Sequence, residues 1–251
     1  MFVIFGKPIS HSKSPLMHNY FFKKMGINEC YGRYELENGK DLINKFKKLK
    51  LRGANVTVPY KEDAYKLADE VRGIAKKIKA VNTLVLEDNK VIGYNTDALG
   101  FLEAIKEFNY KKALIIGAGG TAKALSFVID ADILNRSKNR LEFFKGKKTF
   151  TWDDINEFDY DLIINTTSAG LNDNSLPAPI SVLERLFKNA KFVVDVIYKE
   201  TPFLKLAKKY NLITKDGLDM LIYQGILAME LFLNKKFNIK EVEKIYFEIL
   251  R

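Results

Sequence analysis

A short apolar run, Ala113-Leu114-Ile115-Ile116, passes without a break into Gly117-Ala118-Gly119-Gly120-Thr121-Ala122 and then into a helical stretch. Strand, glycine turn and helix in that order make the first half of a βαβ unit. A G-x-G-x-x-A turn has a physical use for each small residue. The first glycine makes the tight turn, the second lets backbone approach a pyrophosphate, and Ala122 lets the helix pack close to the strand. Helix N-terminal N–H groups then hold phosphates. A glycine turn that binds nothing fits the same letters, so the residues after the helix carry weight. A second strand pattern, Asp132-Ile133-Leu134, ends in Asn135-Arg136-Ser137, where folds that bind NAD present a carboxylate to the ribose 2′-hydroxyl. Arg136 and, within a turn, Arg140 occupy this stretch. Either they pair with a 2′-phosphate, which makes the cofactor NADP, or Arg136 only caps the sheet edge.

Strand and helix patterns alternate almost from end to end, which argues for an α/β fold with parallel sheets. The first part predicts strands at 2–5, 31–36 and 54–58, and helices at 15–25, 40–49, 61–68 and 71–78. A hairpin is expected to pair 81–86 with 90–94, and a helix to start at Asp97. Beyond Lys111 a second α/β unit is expected, with strands near 113–116, 132–134, 148–150, 161–164, 191–195 and 212–214. A length of 251 residues suits two domains better than one. The stretch 218–233 is apolar on nearly all sides and should be buried, whereas 239–250 reads as an ordinary surface helix.

Composition removes several function classes. One cysteine, Cys30, excludes a disulfide framework, and with only two histidines no ordinary zinc site is expected. The apolar opening breaks at Gly6-Lys7-Pro8 with no basic leader, so no export signal is expected. The greasiest stretch carries Asp219, Gln224 and Glu230 and falls short of the ~20 apolar residues of a membrane span. A cytoplasmic protein without membrane contact is the resulting expectation. The net charge of +10 favours anionic partners, yet lysine is spread through every predicted helix. A basic nucleic-acid-binding or cofactor-sensing protein therefore stands as the non-enzymatic alternative, with no nucleic-acid partner expected.

Polar residues gather at the margins of the N-terminal strands. Both histidines lie in His11-Ser12-Lys13-Ser14-Pro15-Leu16-Met17-His18-Asn19. Ser14 followed by proline suits a helix cap, and Ser12 adds a hydroxyl able to bind a carboxylate. Asn55, Thr57 and Lys61 fall where a strand gives way to a helix, the end at which open α/β sheets bind ligands. Asn82-Thr83 and Asn95-Thr96-Asp97 flank the predicted hairpin; taken singly, Asp97 suits an N-cap and Lys61 a solvated first turn.

These segments, together with Asn165-Thr166-Thr167-Ser168-Ala169-Gly170, Asp195 to Tyr198, Thr201-Pro202 and Gly217 to Gln224, resemble the shikimate dehydrogenase family. The resemblance runs in order over nearly the whole chain. It implies NADPH-dependent, reversible reduction of 3-dehydroshikimate to shikimate in the route to chorismate and the aromatic amino acids. A quinate/shikimate enzyme of relaxed substrate or cofactor choice is the alternative within the family. The implied fold has an N-terminal substrate domain, 1–96 plus 216–251, and a Rossmann-like NADP-binding domain, 97–215, with C-terminal helices returning to the substrate domain. By the same resemblance Ser12 and Ser14 hold the substrate carboxylate with Tyr198 nearby. Thr57, Asn82, Asp97 and Gln224 hold its hydroxyls, and Lys61 is the catalytic lysine beside Asp97. Gly117, Ala118, Gly119, Gly120 and Thr121 form the cofactor loop, and Asn135, Arg136, Ser137 and Arg140 the 2′-phosphate segment. Val196 and Gly217 lie near the nicotinamide. No metal is implied, and the expected form is a monomer or homodimer. The chain departs from the family pattern in a shorter helix between Gly117 and Asn135 and in closer spacing from Tyr198 to Thr201. Asp219 and Tyr223 also stand where small residues are usual. Chemically the resemblance suits the residues: ketone reduction needs a hydride donor and a proton for the developing alkoxide, which an ammonium can both stabilise and protonate.

Overall fold

A computed structural model describes residues 1–250. The chain opens with β1 (Phe2–Gly6), α1 (Ser14–Lys24), β2 (Tyr31–Glu35), a 3-10 turn at Gly39–Asp41, α2 (Leu42–Lys48) and β3 (Gly53–Val56). It continues through α3 (Lys61–Leu67), β4 (Glu70–Val71), α4 (Ala75–Ile78), the hairpin β5 (Thr83–Glu87) and β6 (Lys90–Tyr94), and α5 (Asp97–Ala104). Then come β7 (Ala113–Ile116), α6 (Gly120–Ser126), β8 (Ala131–Leu134), a 3-10 stretch at Lys138–Phe143, β9 (Thr149–Phe150) and β10 (Leu162–Asn165). The last elements are α7 (Ile180–Phe187), β11 (Phe192–Asp195), α8 (Pro202–Lys209), β12 (Ile213–Lys215), α9 (Leu218–Leu233) and α10 (Ile239–Leu250). Two compact units result: Met1–Gly100 with Ile222–Arg251, and Phe101–Leu221. No helix among the described residues is long and apolar enough to cross a membrane.

The first unit carries a six-stranded sheet in the order β2-β1-β3-β5-β6-β4. It is parallel-rich but contains the expected hairpin: β1 runs parallel to β2 and β3, whereas β5 is antiparallel to β6 and also to β3. The short Asp88-Asn89 turn forces that reversal, with both residues at positive φ. The expected helix over 71–78 is corrected. Glu70 and Val71 pair with Ile92 and Gly93, and Gly73 at φ +60° breaks the chain before α4 begins.

The second unit's sheet is parallel throughout, in the order β12-β11-β10-β7-β8-β9. Both of its faces are covered. Leu114, Ile116, Ile163 and Val193 enter one apolar cluster, while Ala113, Ile115, Leu162, Ile164 and Val194 enter another. That two-sided burial explains why these strands read as unbroken apolar runs. Counted from β7, the strand order is that of a doubly wound dinucleotide-binding fold, and its direction reverses between β7 and β10.

His18 belongs to the core of the first unit. It is wholly buried, its Nδ1 lies 2.9 Å from the Tyr246 hydroxyl, and its ring stands 4.6 Å from that of Tyr31. The helix 239–250 is thus more than a surface helix, since α10 buries Val242, Ile245 and Tyr246. Burial pushes the His18 imidazole down to about 3 from 6.5. Between those values the unfolded chain binds a proton that the folded chain refuses, so stability falls as pH drops below 6.5. Acidification from about pH 7 to about pH 5 should cost about 2 kcal/mol through this group alone. Urea unfolding checks it: His18→Gln, which has no titrating ring, should lose measurably less over the same interval. Equal losses in both proteins would remove His18 from the acid response.

Candidate active site

Sheet topology brings Ser12, Ser14, Thr57, Asn82 and Asp97 to one edge of the first sheet, whereas Gln224 lies on α9 and Tyr198 in the second unit. Ser12 and Ser14 follow the carboxyl end of β1, and Thr57 follows the carboxyl end of its parallel neighbour β3. Because β5 is antiparallel, it starts where β3 ends: Thr83 faces Asn55 across that pair and Tyr94 across the next. Asn82 just before β5 and Asp97 just after β6 therefore share this edge.

Lys61 opens α3 and Asp97 opens α5, and their side chains meet with Nζ 2.7 Å from Oδ2. They are 29% and 17% exposed, so the pair can be reached from outside. Asp97 does not spend its carboxylate on capping. Asn95 Oδ1 accepts the Ala98 N–H at 3.3 Å instead, which frees Asp97 to face Lys61. The lysine's backbone is fixed as well, its carbonyl accepting the Val81 N–H at 2.9 Å. Ser14 is not the expected N-cap. It is the first residue of α1, Lys13 holds the cap position, and the Ser14 N–H points to Ser12 Oγ at 3.3 Å. The Ser12 carbonyl in turn accepts from the Arg33 guanidinium at 2.7 Å.

Beneath the edge lies a buried polar network. Tyr31 donates to Asn55 Oδ1 at 2.6 Å, and Asn55 Nδ2 donates to Thr83 Oγ1 at 3.1 Å. Asn82 Oδ1 accepts the Thr96 N–H at 2.7 Å and the Thr83 hydroxyl at 3.0 Å, while its Nδ2 donates to Thr96 Oγ1 at 3.0 Å. Asn82 is thus held rigidly by the strands that present Asp97. Thr57 rests on Gly6, where an added Cβ would lie 2.5 Å from Thr57 Cγ2. Gln224 sits in α9, 9% exposed, with its backbone so close to Gly100 that a Cβ there would come within 2.5 Å of the Gln224 nitrogen.

The second unit holds the expected glycine loop at its switch point, with Asn135 to Arg140 after the neighbouring β8 and Val196 and Gly217 after β11 and β12. Gly117 takes φ +115°, and a Cβ on it would lie 2.6 Å from Thr166 Oγ1, so only glycine fits between the ends of β7 and β10. A Cβ on Gly119 or Gly120 would meet nothing within 4 Å, leaving their backbone open to a ligand. Ala122 is fully buried, which lets α6 approach the sheet. A cavity of about 540 Å³ opens at this point, lined by Gly117, Ala118 and Gly119, by Asn135, Arg136, Ser137 and Arg140, and by Thr166, Thr167 and Ser168. Thr121 lies beside it in the first turn of α6. Asn135 Nδ2 bonds the Ser137 carbonyl at 2.9 Å, folding the loop that presents both arginines. The one carboxylate on this lining, Asp173, is held by the backbone N–H groups of Gly170 and Ser175 at 2.9 and 3.0 Å. Open glycine backbone beside two exposed guanidiniums fits a dinucleotide with a 2′-phosphate.

The turns at 165–170 and 195–202 are built around a buried carboxylate that the sequence pattern alone does not reveal. Asp195 is fully buried, and burial raises its carboxyl above the ordinary range. Its oxygens accept from Asn165 Nδ2 at 3.0 Å, the Thr201 hydroxyl at 2.7 Å and the Ile197 N–H at 3.0 Å. Asn165 Oδ1 then accepts from the Thr167 N–H and hydroxyl. This cluster sets the turns after β10 and β11. Val196 is clasped from the other side: Gly217 N–H donates to Ile197 O at 3.0 Å, and any Cβ on Gly217 would overlap the Val196 carbonyl. Tyr198 comes next on the same loop, half-buried, its phenol raised by burial.

A family model for the shikimate dehydrogenase substrate binding domain matches residues 4–84. The chain is 48% identical to the protein of Helicobacter hepaticus named shikimate dehydrogenase (NADP(+)), over 94% of this chain and 92% of that one. It is 36% identical to the protein of the same name from Methanococcus vannielii, over 91% and 89%. Among solved structures it is similar to shikimate 5-dehydrogenase from Thermus thermophilus in complex with NADP(H) and shikimate. The TM-score is 0.86 and the identity 32%, with 99% of each chain covered.

Proposed function

The chain belongs to the shikimate dehydrogenase family, and from that premise we propose that Lys61 and Asp97 carry the reversible, NADPH-dependent reduction of 3-dehydroshikimate to shikimate. The observation that carries the assignment is the Lys61–Asp97 pair, 2.7 Å apart and open to the outside at the edge where strand ends converge. NADPH, when bound, supplies the hydride. Lys61 Nζ stands to stabilise the oxygen on which negative charge develops and to give it a proton. Asp97 aims the ammonium and accepts a hydrogen bond from a substrate hydroxyl. Thr57, Asn82 and Gln224 take the remaining hydroxyls. The Ser12 and Ser14 hydroxyls suit a carboxylate, with Tyr198 assigned to the same group. The open backbone of Gly117 to Thr121 receives the pyrophosphate, Asn135 to Arg140 the 2′-phosphate end, and Val196 and Gly217 border the nicotinamide.

The enzyme so read works in the cytoplasm, as a monomer or homodimer, on the route to chorismate and the aromatic amino acids. Steady-state assays of shikimate and quinate, each with NADP⁺ and NAD⁺, test the reading. The pair shikimate and NADP⁺ should give the highest kcat/KM of the four. A higher value with quinate would move the assignment to a quinate/shikimate enzyme, and no turnover with any pair would refute it.

A further inference from the structure

Trp152 is the sole tryptophan of the chain and has no part in the assignments above. It lines the same cavity as Asn135, Arg136 and Arg140. Register puts it there. Leu134 pairs with Phe150 in parallel strands, and the Asn135 N–H donates to the Phe150 carbonyl at 3.0 Å, so both strands leave the sheet side by side. The arginine loop continues from one strand and Trp152 from the other.

The orientation of the indole is informative. Trp152 is partly exposed and lines the cavity, yet its Nε1 is buried and finds no hydrogen-bond partner. What it shows to the cavity is therefore ring carbon. It also packs against the apolar cluster that includes Leu134 and Ile155, which holds the ring in place. A flat aromatic surface is poorly matched to phosphate and well matched to a planar heteroaromatic base, which can stack on it without a hydrogen-bond code.

We propose that Trp152 is the platform on which the adenine of the cofactor stacks, a binding residue for the adenosine half placed beside the arginines that take the 2′-phosphate. The proposal rests on reading this cavity as the NADP site.

Adenosine 2′,5′-bisphosphate tests the contact, since it carries the base and the 2′-phosphate but no nicotinamide to quench by energy transfer. Titrated into the wild-type protein, it should change the emission of the single tryptophan saturably, at the midpoint that calorimetry gives. By calorimetry Trp152→Ala should weaken the bisphosphate and NADP⁺ together by roughly tenfold, the usual worth of one stacked base, and Trp152→Phe should restore most of the loss. Binding heat without any change in emission, or Trp152→Ala binding within about twofold of wild type, would overturn the platform while leaving the cofactor site intact. No binding heat with the wild-type protein would refute the cofactor reading of the cavity, and the platform with it.

Discussion

Replacing Lys61 by methionine or alanine should lower turnover by roughly 10²–10⁴, the usual worth of a positioned acid or base, while the KM for shikimate stays near its wild-type value. Lys61 is held for its chemistry by two independent constraints: its carbonyl is tied to Val81, and its ammonium is aimed by Asp97 at 2.7 Å. Removing the side chain leaves the backbone tie intact. The ammonium is partly exposed, so its loss opens no core cavity, and the variant should unfold at nearly the wild-type urea concentration. In the proposed site substrate binding is spread over several hydroxyl and amide groups, so the loss should fall on kcat. Turnover within about threefold of wild type would take Lys61 out of the mechanism.

That pair is legible in the letters only in part. Lys61 and Asp97 each have an ordinary structural use as helix-start residues, and nothing local decides between the uses. In the structure Asn95, two residues before Asp97, accepts the Ala98 N–H, and the Asp97 carboxylate faces Lys61. The second unit is the more legible. Its strands are buried on both faces and read as apolar runs, and its glycine turn has a steric reason at Gly117. The antiparallel middle of the first sheet is less so, because hairpin patterns specify a reversal but not which neighbours flank it. The helices α7 and α8 lie outside the elements expected from the sequence pattern, although Thr201 at the cap and Pro202 after it mark the start of α8 by local chemistry alone. The Asp195–Asn165–Thr201 cluster is of another kind. It joins groups from two neighbouring parallel strands and the helix after them, and only the sheet order makes them a unit. Trp152 has no signal, since an aromatic residue after an edge strand is ordinary until the cavity beside it is seen.

Arg136→Ala should weaken NADP⁺ by roughly 10- to 150-fold, the equivalent of losing a charge-assisted hydrogen bond of ~1.5–3 kcal/mol, and leave NAD⁺ nearly unchanged. The asymmetry comes from where the side chain sits. Arg136 is exposed on the loop after β8, so in the absence of ligand its guanidinium is solvated and the substitution disturbs no packing. The loop itself is shaped by Asn135, through its bond to the Ser137 carbonyl, and keeps its form without the arginine. What is removed is a charge that acts only on a ligand bearing the 2′-phosphate. Arg140 lines the same cavity and retains part of the attraction, so the single variant should still prefer NADP⁺ and the double variant with Arg140→Ala should lose that preference. The discrimination should also shrink with added salt, as expected for exposed charges acting on a phosphate. Fluorescence or calorimetric titration with both nucleotides measures each quantity directly. Equal weakening of NADP⁺ and NAD⁺ by Arg136→Ala would mean that this guanidinium does not read the 2′-phosphate, and that the preference between the two nucleotides is set by other groups on the cavity wall.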